Sequence, residues 1–107
     1  MSLLSHDMGR WKLMKESQLE KRLKDKVEQL GGLCFKWVSP GKRGVPDRIC
    51  LLAKGRTVFV EMKAPNGKLS PLQKKRIQEL EKLGHEVRVL YTKQTIDEFI
   101  REIGGDV

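Results

Sequence analysis

The sequence predicts an α/β domain: a mixed β-sheet flanked by helices, in the order αβββαβα. Three observations carry this fold class. Two stretches, residues 15–30 and 70–83, repeat apolar residues at helical spacing and stop at glycines. Between them, residues 33–38 alternate, and two short apolar runs flank Lys54-Gly55 as the arms of a hairpin would. A further strand-like run at residues 85–91 precedes a last helical stretch.

In the first helix Leu19, Leu23, Val27 and Leu30 fall within about 80° of one another at about 100° per residue, and Gly31-Gly32 ends it. Glu16 projects into the middle of that apolar stripe and Glu20 onto its edge. A carboxylate there is costly unless it is paired or meets a cation, although acidic residues also suit a helix's first turn. Strand 33–38 sets Leu33, Phe35 and Trp37 on one face and Cys34, Lys36 and Val38 on the other. The loop Ser39-Pro40-Gly41-Lys42-Arg43-Gly44 then presents two adjacent cations.

The hairpin follows, with strand 48–53, a tight turn at Lys54-Gly55, and a second strand ending in Glu61-Met62-Lys63. Residues two apart share a face, so Glu61 and Lys63 point together and Met62 away. Asp47, at the start of the first arm, lies across from the end of the second. Two carboxylates and an ammonium converge there, which suits a divalent cation bound by oxygens with a lysine beside it. In the second helix Ser70, Pro71 and Gln73 form a capping box, which explains Gln73 structurally. Lys74, Lys75 and Arg76 follow on successive faces, and Leu72, Ile77, Leu80 and Leu83 are expected on the core. In strand 85–91 Val87 and Val89 point inward and His85 is structural. Thr95 is expected to cap a last helix through Phe99, Ile100 and Ile103, closed by Gly104-Gly105.

At 107 residues the chain is expected to hold one domain, residues 15–107, after an N-terminal extension, residues 1–14, either disordered or foreign to the native chain. No apolar run approaches the ~20 residues of a membrane span, and the start lacks the basic-then-apolar order of a secretory signal. Cys34 and Cys50 read as buried free thiols in a reducing, cytoplasmic setting. Lys and Arg outnumber Asp and Glu 22 to 14, a net charge of +8 that suits a polyanion such as nucleic acid. Zinc-ligand sets, phosphate-binding glycine loops and Ser-His-Asp or Cys-His sets cannot be assembled.

Pro46-Asp47 followed by Glu61-Met62-Lys63 resembles the signature of the PD-(D/E)xK nuclease superfamily. Lys36-Trp37-Val38-Ser39-Pro40-Gly41, Gly44-Val45-Pro46-Asp47-Arg48 and Lys68-Leu69-Ser70-Pro71-Leu72-Gln73 narrow the resemblance to the VRR-NUC branch. It implies a restriction-endonuclease-like core and a metal-dependent endodeoxyribonuclease. Phosphodiester hydrolysis needs an activated water and relief of the charge that builds on the phosphate, and the resemblance distributes those tasks. Asp47, Glu61 and the Met62 backbone carbonyl would hold Mg²⁺ or Mn²⁺, with Lys63 beside the water. A helix glutamate, Glu16 or alternatively Glu20, would complete the metal shell, and Gln73 would stand near the site. Lys42, Arg43, Lys74, Lys75 and Arg76, with Lys36, Ser39 and Lys68 from the same motif blocks, are the candidate nucleic-acid contacts. Stand-alone phage and bacterial members imply a homodimer that resolves branched DNA such as Holliday junctions, in a bacterial cell or a phage-infected host. The rival is a non-catalytic DNA-binding or assembly module with the same fold, against which the intact Asp47, Glu61 and Lys63 argue.

Overall fold

A computed structural model describes residues 15–104 of the chain. Helix α1 (Glu16–Gln29) leads into strands β1 (Leu33–Lys36), β2 (Arg48–Leu51) and β3 (Thr57–Met62). Helix α2 (Pro71–Lys82), strand β4 (Glu86–Leu90) and helix α3 (Lys93–Gly104) complete the order. The strands lie side by side in chain order, antiparallel from β1 to β3 and parallel between β3 and β4. The sheet is mixed because hairpins reverse the chain, whereas the α2 crossover restores its direction. The expected extension at residues 1–14 lies outside the described residues.

One face of the sheet holds the core. Leu19, Leu23 and Val27 of α1 are fully buried against Cys34, Cys50, Val58, Val60, Met62 and Leu90. Helix α3 adds Ile96, Phe99 and Ile103. A bidentate pair joins the two helices: Arg22 Nε to Asp97 Oδ1 and Nη2 to Oδ2, both 3.0 Å. Cys34 and Cys50 are cross-strand partners with sulfurs 3.9 Å apart, and both are free thiols.

The other face carries Leu33 and Phe35, Ile49 and Leu51, Thr57, Phe59 and Glu61, then Val87 and Val89. Helix α2 packs over β4 and leaves the β1–β2 half uncovered. Leu33, Phe35 and Leu51 therefore remain 48%, 51% and 38% exposed. The same placement corrects the reading of α2. Leu72 and Leu83, at opposite ends of the helix, are 37% and 76% exposed, and no side chain of α2 is fully buried.

Two local expectations shift. The hairpin arm ends at Leu51 rather than residue 53, with Lys54 and Gly55 at φ 62° and 76°. Arg56 N donates to the Ala53 carbonyl at 3.3 Å and Leu52 N to the Arg56 carbonyl at 2.8 Å, so Leu52 faces Arg56 and three residues, Ala53-Lys54-Gly55, connect the arms. Helix α3 is capped by Thr92, not Thr95. Thr92 Oγ1 accepts from Thr95 N at 3.1 Å and Thr95 Oγ1 from Thr92 N at 3.0 Å. Starting earlier lets Thr95 also accept from Tyr91 N, satisfying one more backbone donor.

Candidate active site

The β2–β3 register runs from Leu51↔Thr57 to Arg48↔Val60, and one further step sets Asp47 opposite Glu61. Asp47 Oδ2 accepts from Met62 N at 2.9 Å, and the Asp47 carbonyl accepts from Trp37 N at 2.7 Å. Asp47 is thus bonded to both neighbouring segments. The loop that delivers it is fastened to α2 at two points. Arg76 Nε donates to the Arg43 carbonyl at 2.8 Å. Gly44, at φ +85°, approaches so closely that a Cβ would fall 2.9 Å from Leu72 Cγ. Only glycine combines that backbone angle with that approach.

Glu61 is 2% exposed, the one charged side chain among the buried residues described. Its Oε2 accepts from Gln73 Nε2 at 3.1 Å and stands 3.8 Å from Lys63 Nζ. Asp47, set opposite Glu61 by the strand register, is near enough for its charge to act on the Glu61 carboxyl. Burial first, then the charge of Asp47, pushes Glu61 up to about 8, with Lys63 opposing. Glu16 is also raised, by burial and then by Asp47, again with Lys63 opposing and Glu20 adding. Glu16, Asp47, Glu61 and Lys63 therefore share one electrostatic neighbourhood at the ends of the two central strands.

Glu20 is engaged elsewhere. Its Oε1 accepts from Arg48 Nε at 3.0 Å, with the two side chains only 16% and 14% exposed. No ion pair among the described residues engages Glu16. Gln73 fills both of its anticipated places at once, since its Oε1 accepts from Ser70 N at 2.9 Å while its Nε2 reaches Glu61. Lys36, Lys42, Arg43, Lys68, Lys74 and Lys75 are exposed, and Ser39 is half-buried. Arg76 is turned inward, with its side chain 12% exposed and Nη1 3.1 Å from Glu79 Oε1. Sequence reasoning missed Arg48 as the partner of Glu20 and Arg76 as a loop anchor. Strand alternation held a signal for the first, because it sends Arg48 to the face opposite Asp47, toward α1.

Two carboxyls this close, one of them buried, need a proton or a cation between them. No three Asp, Glu, His or Cys side chains converge into a ready cage among the described residues. A hard ion that keeps several waters and takes one or two carboxylates fits this donor set, and a closed four-ligand zinc site does not.

Comparison with known proteins agrees with the motif. The family model of the VRR-NUC domain matches residues 4–94. The p44 protein of Acyrthosiphon pisum secondary endosymbiont phage 1, whose name describes it as a candidate nuclease, is 47% identical over 79 residues. That alignment covers 74% of this chain and 85% of the phage protein. A solved VRR-NUC domain superposes with a TM-score of 0.77 at 33% identity, covering 80% of this chain and 94% of that one.

Proposed function

This chain belongs to the VRR-NUC domain family, and on that premise we propose a metal-dependent endonuclease that cuts phosphodiester bonds in branched DNA. The carrying observation is the Asp47–Glu61 pair, two carboxyls set opposite each other across β2 and β3, with Lys63 3.8 Å from the buried one. Asp47, Glu61 and the Met62 carbonyl, with Glu16 alongside, would hold Mg²⁺ or Mn²⁺. Such an ion supplies Lewis acidity, polarising phosphoryl oxygens and making water more acidic. The chain's own groups do the rest. Gln73 Nε2 fixes the rotamer of Glu61 through Oε2. Lys63 Nζ, with three donors, orients the attacking water and balances charge growing on the phosphate. Exposed Lys42, Arg43, Lys68, Lys74 and Lys75 hold the DNA backbone, with Lys36 and Ser39 at the rim.

The partner copy is proposed to sit on the uncovered sheet face. On a chain with 34% charged residues and net charge +8, the β1–β3 residues on that half of the face are Leu33, Phe35, Trp37, Ile49, Leu51, Thr57 and Phe59. None of these strand residues is charged, so they offer phosphate no ion pair, whereas two identical apolar faces meet without repulsion. Residues 15–107 are taken as the nuclease domain after an extension at 1–14, and the cytoplasm of a bacterial or phage-infected cell as its setting. No helix of the described residues is long and apolar enough to cross a membrane.

The test is to incubate labelled four-way junctions, flaps and linear duplexes with Mg²⁺, Mn²⁺ or chelator. Metal-dependent cutting that favours branched DNA is expected. Cutting without metal, or none, defeats the enzymatic reading, and tight binding without cutting favours the non-catalytic module.

A further inference from the structure

The first turn of α1 is capped locally, with Lys15 N donating to Gln18 Oε1 at 3.0 Å, but no side chain in it is buried against the sheet. Glu16, Ser17 and Gln18 are exposed, and the first buried side chain of the helix is Leu19. One turn further along, Glu20 accepts from Arg48 Nε at 3.0 Å, in a pair largely withdrawn from water. Arg48 directly follows Asp47 and opens β2. Its side chain leaves the strand on the α1 side, while Asp47 turns to the Glu61 side. Adjacent residues thus reach in opposite directions, one toward the helix and one toward the paired carboxyls.

We propose that the Arg48–Glu20 ion pair is a positioning device that registers α1 against β2 and so holds Glu16 beside Asp47 and Glu61. Glu16 and Glu20 are four residues apart, on one side of the helix. Fixing Glu20 to the residue after Asp47 sets the helix's rotation and slide where Glu16 must meet that aspartate. A guanidinium suits the task, since it keeps its charge and its planar fork defines direction. Neither residue touches the reacting atoms, so both act through Glu16. This inference rests on the metal-site reading above.

The experiment is a double-mutant cycle read by calorimetric Mn²⁺ titration of the folded full chain. Arg48→Gln is made in the wild-type background and in Glu16→Gln, with Arg48→Lys as the conservative variant and circular dichroism confirming each fold. Arg48→Gln is expected to weaken Mn²⁺ affinity by about tenfold in the wild type and less than about twofold once Glu16 is gone. Arg48→Lys should recover part of the loss. Amide hydrogen exchange, read without metal, should quicken in residues 17–20 of Arg48→Gln and stay unchanged in α3. Equal affinity losses in both backgrounds, or unchanged exchange in the first turn, overturn the inference and leave the nuclease reading standing. A wild-type chain that takes up no Mn²⁺ defeats the metal site itself.

Discussion

Gln73 Nε2 donates to the buried Glu61 Oε2 at 3.1 Å while its Oε1 accepts from Ser70 N, so one amide both caps α2 and orients a carboxylate. The two tasks separate by substitution. Glutamate at this position still accepts from Ser70 N and suits the helix N-terminus. It also sets a second carboxylate against Glu61. Gln73→Glu should therefore keep the wild-type unfolding midpoint within a few degrees and lower the cleavage rate at least about tenfold. Gln73→Ala should lose the rate and also about 1 kcal/mol of stability. Thermal melts and single-turnover cleavage check both, and a fully active Gln73→Glu would reduce Gln73 to a cap.

Asp47 and Lys63 should fail differently. Asp47→Ala removes a carboxylate that faces Glu61 and accepts from Met62 N, so both metal affinity and cleavage are expected to collapse. Lys63→Ala removes a cation, which cannot ligate a metal, so affinity should persist while cleavage falls by at least about a hundredfold. Calorimetric Mn²⁺ titration beside cleavage assays distinguishes them. Equal loss of metal binding in both variants would mean that Lys63 holds the site together rather than acting on water.

How legible the site was depends on the range of each interaction. That Asp47 meets the end of the second arm followed from a hairpin with a tight turn at Lys54-Gly55, while the three-residue connection Ala53-Lys54-Gly55 sets it opposite Glu61 rather than Met62. The Gln73 box was local too, and readable. The Gln73–Glu61 bond was not derivable from spacing, because it depends on how the α2 crossover lies on the sheet. Helix position set Glu16 in the middle of the apolar stripe and Glu20 at its edge, yet Glu16 is exposed in the first turn, and it is Glu20 that is engaged, by Arg48, 28 residues away and placed by tertiary packing. Leu72 and Leu83 misled for a related reason. Helical periodicity shows which side of α2 is apolar, but not how far the sheet extends beneath it.

If a second copy covers the open sheet face, one charge there should separate the protomers. Phe35 is 51% exposed on that face, on the edge strand β1, where it pairs with Ile49. Phe35→Asp should sediment as a monomer where the wild type sediments as a dimer, with an unchanged circular dichroism spectrum. Coordinated double incision of a four-way junction should be lost and single nicks retained. A wild-type chain that is monomeric at tens of micromolar would remove the face from consideration as an interface.

Acid should weaken a network at the far end of the β3–β4 pair. Arg56 holds Glu86 at 2.9 Å, and Arg88 holds Glu102 at 2.6 Å. These hydrogen bonds keep both carboxyls below their usual 4.5. Their contribution to stability is present above the unfolded value and is lost as pH falls through the depressed folded values. Wild type should therefore melt above Glu102→Gln near neutral pH, and the gap should close below about pH 4. A gap that persists unchanged in acid would mean that packing, not charge, separates the two.

The cations proposed to meet DNA around α2 divide by geometry into exposed ones and one that is committed elsewhere. Lys42, Lys74 and Lys75 are exposed around the start of α2, next to the Gln73–Glu61 bond. Arg76, in the same run, is committed to the Arg43 carbonyl and to Glu79. Each phosphate contact should contribute about 0.9 to the slope of log affinity against log salt, by counterion release. Neutralising Lys42, Lys74 or Lys75 to Gln should each flatten that slope by about one contact. Arg76→Gln should leave the slope nearly unchanged. It should instead slow cleavage, because the loop carrying Gly44, Pro46 and Asp47 loses its tie to α2. Fluorescence anisotropy of a labelled junction from about 50 to 200 mM salt, without metal so that nothing is cut, measures the slope directly. A slope that falls by a full contact in Arg76→Gln would mean that its guanidinium swings out to DNA on binding. The loop would then rest on Gly44 and Leu72 alone.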